Sequence, residues 1–288
     1  MVLGDLVIYL GPAGVPLASE ERSTIAGVRC VAELGLNAFE CEFVRGVGMS
    51  NEMAKEVGKV AKELNVRLSV HCPYFVNLCS QEKEKLGASK KRILDSVERA
   101  HFMGADVAVF HPGFYGTLTL EQAYEAVKQS CDDIIERMKS KKIEDVLLGL
   151  ETMGKQSTFG TLEETIRICR EVKGCIPVID WSHLNSRSAG GIKGQKDYSK
   201  VFDELEQLKL KHLHCHATGA EYTVVGEGRG NEKRHLTIDA KKPDLEPLVE
   251  EILRRKIDIT LISESPVLEK DALILKKMFE KNGYKFKI

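Results

Sequence analysis

The chain has almost no net charge: 42 Lys and Arg against 43 Asp and Glu leave −1 at pH 7. It therefore lacks the overall basic field that gathers nucleic acid or anionic membrane, although a local positive groove can exist on a neutral protein. No CxxC pair occurs among the eight cysteines, at 30, 41, 72, 79, 131, 169, 175 and 215. No apolar run approaches the length that spans a bilayer, and no low-complexity tract suggests disorder. The opening MVLGDLVIYLG has neither a basic n-region nor a long apolar h-region. We therefore expect reduced thiols, a cytoplasmic location and no membrane partner, and infer no obligate protein partner. No GxGxxG follows the first apolar run, and there is no P-loop, kinase motif set or nucleophile elbow. These absences argue against dinucleotide, P-loop nucleotide and serine-hydrolase chemistry.

What is present is a repeat of form. Short apolar runs alternate with amphipathic helical patterns along 288 residues, 43% of them hydrophobic. The runs fall at 6–10, 37–43, 67–71, 105–110, 146–150, 176–179, 211–216 and 259–263. Helices are expected over 19–34, 51–64, 86–103, 119–139, from 161 to about 173, 198–210, 245–255 and 268–282. Ser50 and Thr161 read as N-caps, the latter in a Thr-x-x-Glu capping box, and Gly104 as a C-terminal stop. A Gly, Ser and Lys-rich loop is expected over 184–196 and a long irregular segment over 217–242. Eight such alternations in one domain-sized chain predict an α/β fold, a (β/α)8 TIM barrel as a single domain over 1–288. A doubly wound open sheet is the structural alternative.

In a barrel the chemistry gathers where strands end. Successive runs end at His71, His111, Glu151, Asp180 and Glu264, and the seventh, Lys211-His212-Leu213-His214-Cys215-His216, carries alternate histidines on one face. Any one of these has a dull explanation as a capping carboxylate or a half-buried imidazole. Six successive strands supplying them to one rim do not. Carboxylates converging on a barrel mouth repel one another, and no arginine cluster ends these strands, so divalent metal is the expected compensation. A mixed His and carboxylate set suits zinc, with manganese possible, and the ligand number suits two or three ions. His183, three past Asp180, is expected to reach in from a loop. Clustered divalent ions favour phosphoester hydrolysis.

The motifs His71-Cys72-Pro73-Tyr74-Phe75-Val76-Asn77-Leu78, Phe110-His111-Pro112-Gly113, Leu150-Glu151-Thr152, Ile179-Asp180-Trp181-Ser182-His183 and Leu261-Ile262-Ser263-Glu264-Ser265-Pro266 together resemble endonuclease IV. That is the apurinic/apyrimidinic endonuclease family with a xylose-isomerase-like barrel. The resemblance implies zinc-dependent cleavage of damaged double-stranded DNA 5′ to an abasic site, with Glu151 and Glu264 at the catalytic centre. It implies a first ion on His71, His111 and Glu151, with Glu151 bridging to a second held by Asp180, His214 and Glu264. A third would sit on His183 and His235. Tyr74, Asn77 and Arg229 are expected on the substrate. Where the family has HLND and later a DRHH-like string, this chain has His214-Cys215-His216-Ala217 and Asn231-Glu232-Lys233-Arg234-His235. Lys233 replaces a carboxylate of the third site, for which Glu232 or Asp239 could substitute, or His216 compensate. Two other readings stay open. Glu151, Asp180, His214 and Glu264 would equally suit a single-metal sugar isomerase or epimerase, and a metal- or DNA-binding homologue with little turnover is the other. Arg187, Lys193, Lys196, Arg229, Lys233 and Arg234 are candidate phosphate contacts.

Overall fold

The computed structural model describes residues 6–286; the first five and last two positions of the expected domain lie outside the described residues. Strand β1 (Ile8–Pro12) leads to α1 (Thr24–Glu33), β2 (Ala38–Glu42), α2 (Asn51–Glu63), β3 (Arg67–His71), α3 (Lys83–Met103) and β4 (Val107–Phe110). Then come the short β5 (Gly113–Phe114), α4 (Leu120–Ser140), β6 (Leu147–Glu151), the short β7 (Thr158–Phe159), α5 (Leu162–Glu171), β8 (Cys175–Asp180), α6 (Trp181–Arg187) and α7 (Gln195–Leu205). The chain continues through β9 (Leu213–His216), β10 (Gly219–Gly226), β11 (Arg229–Leu236), α8 (Glu246–Arg255), β12 (Ile259–Ser263) and α9 (Glu269–Lys281). The expected caps are present. Ser50 accepts from Met53 N, Thr161 and Glu164 form a reciprocal capping box, and Gly104 ends α3 at φ 71°.

Eight parallel strands form one sheet in the order β1-β12-β9-β8-β6-β4-β3-β2. The two ends meet. Ala13 bridges to Glu40, Asn37 N donates to Leu10 O, and the Asn37 side chain bonds both Leu10 N (2.7 Å) and Ile8 O (3.0 Å). This closure needs a residue without a side chain at Gly11, where a Cβ would lie 1.7 Å from Ala38 O. The result is a (β/α)8 TIM barrel. Its apolar core lies between strands and outer helices, with Val57, Ile93, Val127, Phe202, Leu248, Leu275 and Phe279 almost fully buried.

The barrel interior follows the period of two. Alternate residues up β4 are Val107, Val109 and then His111; up β8 they are Ile176, Val178 and Asp180; up β6, Leu147, Gly149 and Glu151. Val107, Val109, Ile176 and Val178 pack as an apolar plug at the strand N-terminal end. Polar groups occupy the layers above it.

Four expectations are corrected. The segment after β9 is a twisted antiparallel hairpin, β10 with β11, rather than irregular chain. Residues 184–196 are partly helical, because Asp180 accepts from His183 N and starts α6 immediately at the strand end. His183 therefore enters from the first turn of that helix and not from a loop. The first helix begins at Thr24, capped by Ser23, so the acidic 19–21 stretch precedes it.

On the outside, α7 and α8 are tied by ions. Glu251, fully buried, accepts from Arg254 Nε (2.8 Å) and Arg255 Nε (2.5 Å), while Arg255 reaches Ser199 Oγ and Glu206 Oε1, each at 2.7 Å, and Asp203. The Arg254 hydrogen bonds hold the Glu251 carboxyl down to about 2, against the opposing effect of burial. A carboxyl lowered in the folded state stabilises it above the ordinary carboxylate pKa and loses that contribution as pH falls toward the folded value. Glu251→Gln is expected to cost about 1–3 kcal/mol at pH 7, with a smaller difference from wild type near pH 3. Urea melts at the two pH values check this; equal differences would contradict it.

Candidate metal centre

The polar upper layer opens into a cavity of about 700 Å³ lined by Glu42, Tyr74, His111, His183, Glu232, His235 and Glu264, with Arg22 and Lys155 at its walls. Five groups of potential ligand atoms, each within 4.8 Å, occur among the described residues. Three are linked through Glu151 and Asp180: His71, His111 and Glu151; Glu151, Asp180, His216 and Glu264; Asp180, His183 and His235. The other two, Glu40 with His214 and His216 and Glu40 with Glu42 and Glu264, share Glu40. Glu151 and Asp180 each belong to two groups. A site for more than one ion with shared carboxylates has this form.

Hydrogen bonding decides which ring nitrogens face inward. His71 Nδ1 lies 2.9 Å from Cys72 O, His183 Nδ1 2.9 Å from Thr152 O, and His235 Nδ1 3.1 Å from Glu264 O. A backbone carbonyl can only accept, so each Nδ1 carries its proton and each Nε2 of a neutral ring presents a lone pair to the cavity. The Nε2 atoms of His183 and His235 then face each other at 3.3 Å. Two lone pairs at that distance repel unless a proton or a metal ion lies between them. Two nitrogens bound tetrahedrally to one zinc at about 2.0–2.1 Å would be roughly 3.3 Å apart. On the opposite side, His71 Nε2 and His111 Nε2 lie 3.2 and 2.9 Å from the same oxygen, Glu151 Oε2. Glu151 Oε1, Asp180 Oδ2 and His216 Nδ1 are buried without a hydrogen-bond partner among the described residues. Orphaned acceptors around one point are what a bound cation would satisfy. The donor set fits divalent metal.

The electrostatics agree. Burial alone would lower the imidazole pKa of His71, but Glu42 and Glu151 outweigh it and push it up to about 10; Asp180 and Glu151 do the same for His183. Burial would raise Glu151, yet His111 and His216 hold it well below the usual carboxylate range. Glu42 goes the other way. Burial first, then Glu40 and Glu264, raise it to about 8 against the pull of His71. A cation bound among these groups would compete with their protons, so metal binding should release protons.

Placement differs from expectation at several residues. His214 is level with Val178 and His216 with Asp180 in the sheet register, so His214 lies one layer deeper. The expected grouping of His214 with Asp180 and Glu264 is therefore corrected: His216 meets them, its Nδ1 3.4 Å from Glu264 Oε1, while His214 Nε2 bonds Glu40 Oε2 at 2.9 Å. Tyr74 stands half-exposed at the mouth, its ring 6.1 Å from that of His111. Asn77 spends Oδ1 on the backbone N–H groups of Cys79 and Phe114, shaping the loop, and does not line the cavity. Arg229, exposed on β11, donates to Gln156 Oε1 and is likewise off the cavity wall. Of the candidate phosphate contacts, Arg187 is committed to the carbonyls of Met153, Lys155 and Thr158, and Lys233 and Arg234 pair with Glu221.

Glu40 and Glu42 were missed. Both point inward from β2, two residues apart, and the signal was available as alternation in Ala38-Phe39-Glu40-Cys41-Glu42. Glu232 sits 3.9 Å from His183 Nε2 and 4.0 Å from His235 Nε2.

The class these features define is an α/β barrel whose strand ends bring together carboxylates and imidazoles that could hold metal ions. The chain belongs to the xylose isomerase-like TIM barrel family, whose model matches residues 28–280. An uncharacterized protein of Methanocaldococcus jannaschii is 31% identical over 279 residues, 96% of this chain and 98% of that one. An apurinic-apyrimidinic endonuclease of Caenorhabditis elegans is 30% identical over 224 residues, 70% of this chain; the match spans about half of that relative, 54%. Among solved structures, a D-tagatose 3-epimerase-like protein aligns with TM-score 0.69 at 21% identity, covering 94% of this chain and 97% of that one. Endonuclease IV from Thermus thermophilus aligns with TM-score 0.66 at 21% identity, covering 94% and 98%. At such identities these two structures speak for the fold.

Divalent metal at saturating concentration, about a hundredfold above the dissociation constant, is expected to stabilise the chain by about 2.7 kcal/mol per ion. The measurement is thermal unfolding of stripped protein with and without zinc. Unchanged melting would contradict a metal centre.

Proposed function

We propose that this protein is a metal-dependent phosphodiester hydrolase of the endonuclease IV kind, cleaving DNA 5′ to abasic sites in the cytoplasm. The observation that carries the reading is the number of ligand groups. Three overlapping sets share Glu151 and Asp180, and a single-metal sugar enzyme has no need of His71, His111, His183 and His235 as ligands. The similarity to the Caenorhabditis elegans endonuclease supports it. So do the five motifs, each of which contributes a residue to these ligand groups: His71, His111, Glu151, Asp180 with His183, and Glu264. Zinc is the expected metal, two or three ions, with manganese as an alternative.

In this reading His71, His111 and Glu151 would hold one ion, and Glu151, Asp180, His216 and Glu264 a second. When bound, such ions supply a water of lowered pKa and stabilise the attacking and leaving oxygens of an in-line displacement. The chain's own contribution is to aim and to exclude. Glu151 turns Oε2 to His71 and His111 and keeps Oε1 toward His183 and His216. Arg22 and Lys155 offer cationic groups to a phosphate at the cavity wall. Tyr74 offers a ring on which an unstacked base could rest.

The third position lacks the family's carboxylate two before His235, and Glu232 supplies a substitute. Arg234 pairs with Glu221 and Glu232 with Tyr222, leaving Lys233 as the extra residue of a β-bulge. The bulge sends Lys233 outward to Glu221 and turns Glu232 into the site, where Gly154, whose O accepts from Glu232 N, leaves room.

The second reading is a ketose epimerase, for which the Glu151, Asp180, His216 and Glu264 set would suffice as a single-metal site. Elemental analysis separates the two: two or three ions per chain are expected, and one would favour the epimerase. The metal-replete protein should cut a duplex containing an abasic site. Chelation should abolish cutting, and Glu151→Gln should reduce it by more than about 10²-fold, since several kcal/mol of charge stabilisation are at stake. An intact duplex alongside ketose interconversion would sink the hydrolase, and tight DNA binding without turnover under any divalent metal would favour a binding homologue. Glu232→Gln is expected to lose one ion per chain and Lys233→Ala none; equal metal content in both variants would remove Glu232 from the site.

A further inference from the structure

Beneath the cavity a second polar layer remains unexplained by the hydrolase reading. Glu40 is completely buried on β2 and accepts from Ser69 Oγ at 2.6 Å. Its Oε2 is hydrogen-bonded to His214 Nε2 at 2.9 Å, and its Oε1 lies 2.9 Å from His216 Nε2 as an ionic contact without an aligned hydrogen bond. No Lys or Arg pairs with it among the described residues, so a carboxylate in the middle of the barrel is faced by two imidazoles and one hydroxyl, with the carboxylates of Glu42 and Glu264 within 4.8 Å. Such a group is costly to bury unless it does something its surroundings require. Its position says what. His216 has one ring nitrogen toward Glu40 and the other, Nδ1, toward Glu151 and Glu264, at 3.5 and 3.4 Å. An imidazole between a carboxylate and a cation site has its tautomer set by the carboxylate. The Glu40 charge 2.9 Å away favours the proton on Nε2, which leaves the Nδ1 lone pair on the side of the cation site.

We propose that Glu40 is a positioning residue of the metal centre: held by Ser69 and His214, it orients His216 and fixes its tautomer so that Nδ1 ligates the ion shared by Glu151, Asp180 and Glu264. His214, expected above as a ligand, then serves as a buttress of Glu40. The inference rests on the reading of the upper layer as a metal site, but it concerns residues one layer below it and is independent of the substrate.

The test is metal binding by the full chain, by elemental analysis and chelator competition, with circular dichroism to confirm folding. Glu40→Gln is expected to weaken one ion by about 10–100-fold and leave the others as in wild type. His216→Gln should lose that ion, and His214→Gln should retain the full count. Wild-type affinity in Glu40→Gln, with the ion lost from His216→Gln, would overturn the role of Glu40. Full metal content in His216→Gln would instead overturn the underlying assignment of the second ion. Should Glu40→Gln fail to fold, Ser69→Ala keeps the charge and removes one of its anchors. The visible absorption of its cobalt-substituted form should shift if Glu40 sets the field at His216, and an unaltered spectrum would overturn the proposal.

Discussion

Buried like charge is the constraint around which this barrel is arranged. Glu40, Glu151 and Asp180 are completely buried, with Glu42 and Glu264 close by, and the ion pairs that Glu40, Glu151, Asp180 and Glu264 make among the described residues are with histidines. In a low-dielectric interior such a set is untenable alone. The imidazoles of His71, His183 and His216 answer it partially, each held well above its ordinary pKa by the surrounding carboxylates. Divalent cations would answer it more completely, because one ion can satisfy two oxygens and two nitrogens at once.

The hairpin of β10 and β11 shows how a local irregularity can compensate a substitution. A lysine stands where the resembled family carries a carboxylate. One extra residue in β11 rotates the strand, so that Lys233 meets Glu221 at the surface and its neighbour Glu232 comes within about 4 Å of two imidazoles. The lack of a side chain at Gly154 permits that approach. Strand alternation alone would have kept a charge of the wrong sign in the site.

The eight strands and their helices were legible because β-strands repeat every two residues and helices every 3.6, and both periods are written in the apolar pattern. The strand-end residues were legible for the same reason: His71, His111, Glu151 and Asp180 are the last inward members of their series. Glu40 and Glu42 obey the same alternation, yet they were overlooked because they lie within an otherwise apolar run and belong to none of the motifs. The hairpin was not legible, since Glu221, Tyr222, Glu232 and Lys233 give a polar strand without an apolar face.

The sequence by itself determined the barrel, the rim on which the chemistry gathers and the kinds of atom gathered there, because those follow from local periodicity. Only the tertiary structure decided depth and direction. Register with β8 sets His214 one layer below His216, a bulge turns Glu232 inward, and the carbonyls of Thr152 and Glu264 choose which nitrogens of His183 and His235 face each other. These are relations between segments far apart in the chain, and no local pattern encodes them.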